Sequence, residues 1–204
     1  MICNICKNKK FIIPPWLNHK SSRRMCVYCR SLSRHRAFIK LYEKKINNIH
    51  NFSNKKCIVF SEKNNHRISY YLKNRIKTSV ITADIEPGYN IRVNLEKMSN
   101  INDNSYDYVF LFHVLSVIKN EIEAIKEIHR ILKPGGCLFI NDGLSKKYKK
   151  INYSYSKNNV TKRLHDIESL PNILSPYFET EVNYEIDPIT QKKETYFISK
   201  KILI

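Results

Sequence analysis

Two segments, Tyr106 to Phe112 (YDYVFLF) and Cys137 to Asn141 (CLFIN), are almost unbroken apolar runs of strand length. A strand that is apolar on both faces needs a covering layer on each side, which is the situation of a parallel sheet packed between helices. Further strand-like runs stand at Cys57 to Phe60, Thr78 to Ile85 and Ile91 to Leu95, and helical spacing of apolar residues falls between them over His66 to Arg75 and Glu121 to Leu132. Pro134, Gly135 and Gly136 stop the second helix and turn the chain into the next strand. Tyr177 to Ile186 and Glu194 to Ile202 read as two long strands around an Asp187-Pro188 turn, a closing hairpin. The expectation is an α/β protein with a mostly parallel sheet.

At 204 residues the chain has room for one main domain and a small appendage. Its longest apolar run, Tyr108 to Ile118, is interrupted by His113 and Ser116 and falls short of the roughly 20 residues a membrane span needs, so no span is expected. The start, MICNICKNKK, shows no secretory signal, and the expected setting is cytoplasmic and reducing. There, cysteines serve as metal ligands or small buried hydrophobes more often than as disulfides.

Cys3 and Cys6 form one C-x2-C knuckle, and Cys26 and Cys29 form a second, with 19 residues between them. Each knuckle directs two thiolates at one ion, and the pair completes a tetrahedral sulfur shell suited to structural Zn²⁺, ahead of an iron–sulfur cluster. Four sulfur ligands leave no open position, so the ion would hold structure rather than catalyse. Residues 1–32, which include Trp16, are read as a zinc-ribbon-like element, and residues 33–204 as the main domain, opening with an amphipathic helix over 33–49. Cys57 and Cys137 fall within strands, as buried fillers. Arg34, His35 and Arg36 open the helix, where cations oppose the helix dipole; exposure is expected for them, with contact to an anionic group as the alternative.

The formal charge is +18, from 36 Lys and Arg against 18 Asp and Glu. Such a field draws a protein to polyanions, unless it reflects nothing but a lysine-rich composition. The stretch LSKKYKKINYSYSKNN, from Leu144 to Asn159, is basic and rich in Tyr and reads as a mobile loop or lid.

Ligands of open parallel sheets sit at the carboxyl ends of the strands. At the end of the first strand stand Ser61, Glu62 and Lys63, with no glycine to let a phosphate approach the backbone. A nucleoside without phosphates makes weaker demands on that loop. Asp84, about 24 residues after Phe60, is placed to take ribose hydroxyls, or is a turn acid in ADIEPG.

The stretch Ser105 to Asp142, SYDYVFLFHVLSVIKNEIEAIKEIHRILKPGGCLFIND, resembles the fourth strand, helix and fifth strand of class I S-adenosylmethionine-dependent methyltransferases, which commonly read "FD" plus an apolar strand, "HVLEH" and "RVLKPGG". SEKNNHRISYYL, ITADIEPG and CVYCRSLSRHRAF resemble a methyltransferase type 11-like subgroup whose first loop reads "APE" and whose amino terminus carries a cysteine knuckle pair before an "RHR" helix. The resemblance covers nearly all of residues 1–142. It implies a Rossmann-like class I methyltransferase fold, with a mostly parallel seven-stranded sheet and a C-terminal antiparallel hairpin.

It also implies S-adenosylmethionine as cofactor. Ser61 and Glu62 would line its methionine end, Asp84 would hold the ribose, Asn94 and Leu95 would stand at the adenine, and His113 would lie beside the reactive methyl. Two departures stand out: Asn94 where the family usually has an acid, and Ser116-Val117 where it has Glu-His. His113 is either the general base or a strand-end residue that orients the cofactor. The implied activity is methyl transfer to an acceptor such as an anionic glycan, a small molecule or RNA. The alternative is an inactive, basic methyltransferase-like protein that binds RNA or another polyanion.

Overall fold

A computed structural model describes residues 1–15, 24–155 and 158–203; Trp16 lies outside the described residues. The chain begins with a short hairpin of β1 (Phe11–Ile12) and β2 (Met25–Cys26). Next comes α1 (Ser33–Leu41), which widens into a π-helical turn at Tyr42–Ile46 and closes with α2 (Asn47–Ile49). The main sheet then builds up as β3 (Lys56–Phe60), α3 (Arg67–Tyr71, continued by a π turn over Leu72–Ile76), β4 (Ser79–Asp84), β5 (Ile91–Arg92), β6 (Tyr106–Phe112), α4 (Glu121–Ile131) and β7 (Leu132–Asn141). A hairpin of β8 (Lys149–Tyr155) and β9 (Asn158–Leu164) stands apart from that sheet, and α5 (Ser169–Leu174), β10 (Phe178–Ile186) and β11 (Lys193–Lys201) complete the chain.

The seven strands lie in the order β5-β4-β3-β6-β7-β11-β10. Pairings from β5 to β7 are parallel, whereas β11 runs antiparallel to both β7 and β10. Chain direction in the sheet therefore switches outward on both sides of the β3–β6 boundary, and that boundary is where such folds open a crevice.

The near-continuous apolar strands have the two-sided burial they require. On one face, Tyr108, Phe110 and Phe112 of β6 join Val59 and Phe139 under Phe38 and Leu41 of α1 and Ile68 and Leu72 of the α3 region. Phe38 sits edge-on to Phe110, Phe112 and Phe139, with ring centroids 5.3 to 5.9 Å apart. On the other face, Val109 and Leu111 join Ile58, Leu138 and Ile140 beneath Ala124, Ile125 and Ile128 of α4 and Leu170 and Leu174 of α5. At Gly136 the backbone leaves no room for a side chain, because a Cβ would lie 2.9 Å from the carbonyl oxygen of Asp107 on β6.

Three local expectations change. The strand expected from Ile91 to Leu95 pairs only at Ile91–Arg92, because Asn94 Oδ1 accepts the Glu96 N–H at 3.0 Å and turns the chain. The stretch expected to be a mobile loop holds most of the β8–β9 hairpin, paired from Lys149↔Leu164 to Tyr155↔Asn158; its lysines hide a period-two pattern. The sequence also reads as a helix over His165 to Leu174, and that helix begins only at Ser169, since Asp166 accepts the N–H groups of Glu168 and Ser169 and forms a turn first.

Lys77 ends the α3 region at φ 61°, its N–H returning to the Leu72 carbonyl. Glycine suits this left-handed position and an exposed lysine does not. Lys77→Gly is expected to stabilise the protein by about 1 kcal/mol, read as a higher urea midpoint at unchanged slope.

Candidate active site and metal centre

The Sγ atoms of Cys3, Cys6, Cys26 and Cys29 all lie within 4.8 Å of one another, with 3.7 Å between Cys3 and Cys29 and 3.5 Å between Cys6 and Cys26. Sulfurs held about 2.3 Å from a central ion at tetrahedral angles stand about 3.8 Å apart, so the donor set fits Zn²⁺. Both knuckles are built alike. Lys7 N–H returns to Cys3 O and Arg30 N–H to Cys26 O, and both donors have positive φ, 66° and 59°. These residues fold the chain back so that two sulfurs converge, a geometry set by local turns. Cys57 and Cys137 are buried within their strands, and burial raises both thiols.

The RHR segment is not exposed as expected. Arg36 is fully buried: Nε and one terminal nitrogen donate to the two Asp187 carboxylate oxygens at 2.8 and 2.7 Å, and the other donates to the carbonyls of Ser31 and Arg24. The anion it meets is internal, in the turn between β10 and β11.

At the carboxyl ends of β3, β4 and β5, Ser61, Asp84, Asn94 and Leu95 line one cavity of about 420 Å³. This is within the range of small-ligand sites. Asp84 is fixed there by two bonds, with Oδ2 accepting from Ser61 Oγ at 2.7 Å and Oδ1 from the Glu86 N–H at 3.0 Å. Apolar walls come from Phe60, Ile85, Val93, Val114, Val117 and Ile118. Most of these were missed in the sequence reading, although each ends a strand or follows a strand end closely, which is the signal that could have found them. Two carboxylates, Asp84 and Glu96, the Asn94 amide and the apolar walls fit a nucleoside without phosphates; the lining holds one cation, Lys119, and no glycine to cradle a pyrophosphate.

Glu62 is a correction. It does not line the cavity: it is 1% exposed, and its Oε2 accepts the N–H groups of Ile68 and Ser69 at 3.0 and 3.2 Å, capping α3. Ser61, at φ 58°, turns the chain left-handed and sends the next side chain under the helix. Asn65 at 60° and Arg67 at 46° repeat this conformation in the same loop. The loop thus takes backbone shapes that suit glycine while containing none, at about 1 kcal/mol or more per residue. His113 closes β6 at φ 62°, its N–H on Asn141 O at 2.7 Å, and it is not among the cavity-lining residues.

The departure at Ser116 has a structural correlate. Its N–H donates to the buried Asp142 Oδ2 at 2.8 Å, which ties the loop after β6 to the end of β7; burial pushes the Asp142 carboxyl above its usual range. The same loop is gripped from β9. Arg163 donates to Glu121 Oε2 at 2.9 Å and to the carbonyls of Leu115, Ile118 and Lys119, while His165 Nε2 lies 3.0 Å from Glu121. Burial raises the Glu121 pKa, but the bonds from His165 and Arg163 outweigh it and leave the net value below 4.5. With a depressed folded pKa, this clamp contributes fully above that ordinary value and is lost as pH falls through the lowered one. Arg163→Ala is expected to cost about 2–4 kcal/mol and to weaken this acid-side dependence, part of which the His165 contact retains, measurable by denaturation at pH 7 and pH 4.

No curated protein matches the chain in sequence. Residues 65–140 match a family model described as a methyltransferase domain. Solved structures superpose over most of the chain. The 1,6-didemethyltoxoflavin-N1-methyltransferase of Burkholderia thailandensis does so with a TM-score of 0.63 at 11% identity, covering 92% of this chain and 99% of that one. A SAM dependent methyltransferase from Aquifex aeolicus gives 0.57 at 13%, covering 78% and 89%, and the [4+2]-cyclase SpnF gives 0.61 at 11%, covering 88% and 89%. The chain has the class I methyltransferase fold. In this methyltransferase-like frame, the cavity opens at the topological switch point, across the ends of β5, β4, β3 and β6. Among the described residues, no helix is long and apolar enough to cross a membrane.

Proposed function

We propose that the protein is an S-adenosylmethionine-dependent methyltransferase whose fold is braced by a structural Zn²⁺ on Cys3, Cys6, Cys26 and Cys29. The observation that carries this reading is the lining of the cavity: the Asp84 carboxylate, fixed by Ser61 and a backbone N–H, stands with Asn94 between apolar walls and with no glycine, while Glu96 and Lys119 also line it. Asp84 would hold the ribose, and Asn94 and Leu95 the adenine edge; the one Asn94 oxygen lone pair taken by Glu96 leaves a second to accept from an amine. When bound, the cofactor supplies an activated methyl on a sulfonium. What remains for the chain is to align an acceptor and exclude water, which can contribute much of the rate without a strong base. His113 is the proposed base where the acceptor must lose a proton.

The acceptor class proposed is anionic, a glycan or RNA, from the +18 charge and from the β8–β9 hairpin region, whose sequence from Gly143 to His165 holds six lysines and one arginine and no acid. An inactive polyanion-binding protein on the same frame is the second reading, favoured by the same charge, and SpnF illustrates that this fold does not choose a reaction by itself. Calorimetric titration with S-adenosylmethionine and S-adenosylhomocysteine tests the two. Binding with Kd below about 1 mM, in the usual range of enzyme substrates, is expected; a flat titration across the millimolar range overturns the enzyme reading.

A further inference from the structure

The four-cysteine element and the cavity loop meet at two points. The carbonyl oxygen of Cys29 accepts the N–H of Arg67 at 2.7 Å, at the start of α3. Leu32, three residues beyond Cys29, donates its N–H to His35 Nδ1 at 2.9 Å. That bond makes Nδ1 the acceptor and leaves the proton of a neutral imidazole on Nε2. His35 Nε2 faces Glu62 Oε1 at 3.2 Å in a polar contact that falls short of hydrogen-bond geometry, both side chains are buried, and neither atom has a hydrogen-bond partner among the described residues. Burial first, then the nearby cations Arg34, Arg67 and Arg36 and the ring of His113, keep His35 neutral. The other Glu62 oxygen holds the first turn of α3.

These contacts bracket the segment from Ser61 to Arg67, where three residues other than glycine have φ of 58°, 60° and 46°. A glycine loop would rest in such a shape unaided. This one needs external contacts to stay there, and it carries Ser61, whose hydroxyl orients Asp84.

We propose that His35 and Glu62 are positioning residues through which the cysteine element holds the Ser61–Arg67 loop in its left-handed shape, so that cofactor affinity depends on a metal bound outside the cavity. The part that concerns affinity rests on the methyltransferase reading; the part that concerns the loop does not.

The experiment uses the full chain loaded with Zn²⁺, with S-adenosylhomocysteine as probe. His35→Ala and Glu62→Gln are each compared with the unaltered protein for metal content, calorimetric Kd and amide hydrogen exchange over residues 61–72. Both variants are expected to keep one zinc per chain, to bind the probe at least tenfold more weakly, and to exchange the Ile68 and Ser69 amides at least tenfold faster. Combined, they are expected to lose no more than either alone, because they break one contact. His35→Gln, whose side-chain N–H can reach Glu62, is expected to recover most of the affinity. Unchanged affinity in zinc-loaded His35→Ala, or equal affinity in the unaltered protein after chelation, overturns the proposal. Should the unaltered protein bind no probe, the methyltransferase reading fails instead, and exchange at Ile68 and Ser69 that is insensitive to His35→Ala then overturns the positioning role.

Discussion

Asp84→Ala is expected to weaken S-adenosylhomocysteine binding by about 100-fold or more while leaving zinc content unchanged. A charged acceptor in a hydrogen bond contributes about 1.5–3 kcal/mol, and a carboxylate that receives two ribose hydroxyls supplies two such bonds. The substitution also strips the Ser61 hydroxyl and the Glu86 N–H of their acceptor, so part of the loss comes through the loop. Asp84→Asn separates these effects, since it keeps an acceptor oxygen but lacks the charge and is expected to fall between. Calorimetry reads both. Retention of probe affinity by Asp84→Ala would mean that the ribose site lies elsewhere.

Arg36→Ala is expected to have the largest effect on stability, about 3–5 kcal/mol, because it leaves a charge buried without its partner. Asp187 is fully buried, and without the guanidinium its remaining partners are the N–H and hydroxyl of Thr190. The same guanidinium satisfies carbonyls at Ser31 and Arg24, so the loss reaches both the cysteine element and the C-terminal hairpin. Against a total stability of about 5–15 kcal/mol this is a large fraction. At about 2–4 °C per kcal/mol, a thermal midpoint lower by roughly 10 °C is expected. Arg36→Met combined with Asp187→Leu removes both charges and is expected to cost less than Arg36→Ala alone; a double variant that costs more would show that the arginine acts through its carbonyl contacts.

What could be read without coordinates was what the chain writes locally. Tyr106 to Phe112 announced a strand covered on both faces, and its bounds agree with the structure to the residue. The two-residue gaps let each pair of cysteines converge through its own turn, while the short sulfur contacts, Cys3 to Cys29 and Cys6 to Cys26, run between the knuckles that the β1–β2 hairpin brings together. Ser61, Asp84, Asn94 and Leu95 fall at successive strand ends, and a parallel sheet carries such ends to one crevice whatever the intervening sequence. The Leu144 to Asn159 stretch misled because its lysines, at 146, 147, 149, 150 and 157, follow no strand period and mask the alternation of Ile151, Tyr153 and Tyr155.

The amino-acid order by itself determined most strands and helices of the main sheet, each knuckle and the crevice, since these follow from periodicity and from turns a few residues long. Only the tertiary structure decided the roles of Glu62, His35 and Arg36. Residue type suggested a cofactor ligand and two exposed cations. The sign of φ at Ser61 turned Glu62 inward, and the partners of His35 and Arg36 lie 27 and 151 residues further along the chain. Burial and pairing of charge are properties of what the fold brings alongside, and no local pattern encodes a neighbour that distant.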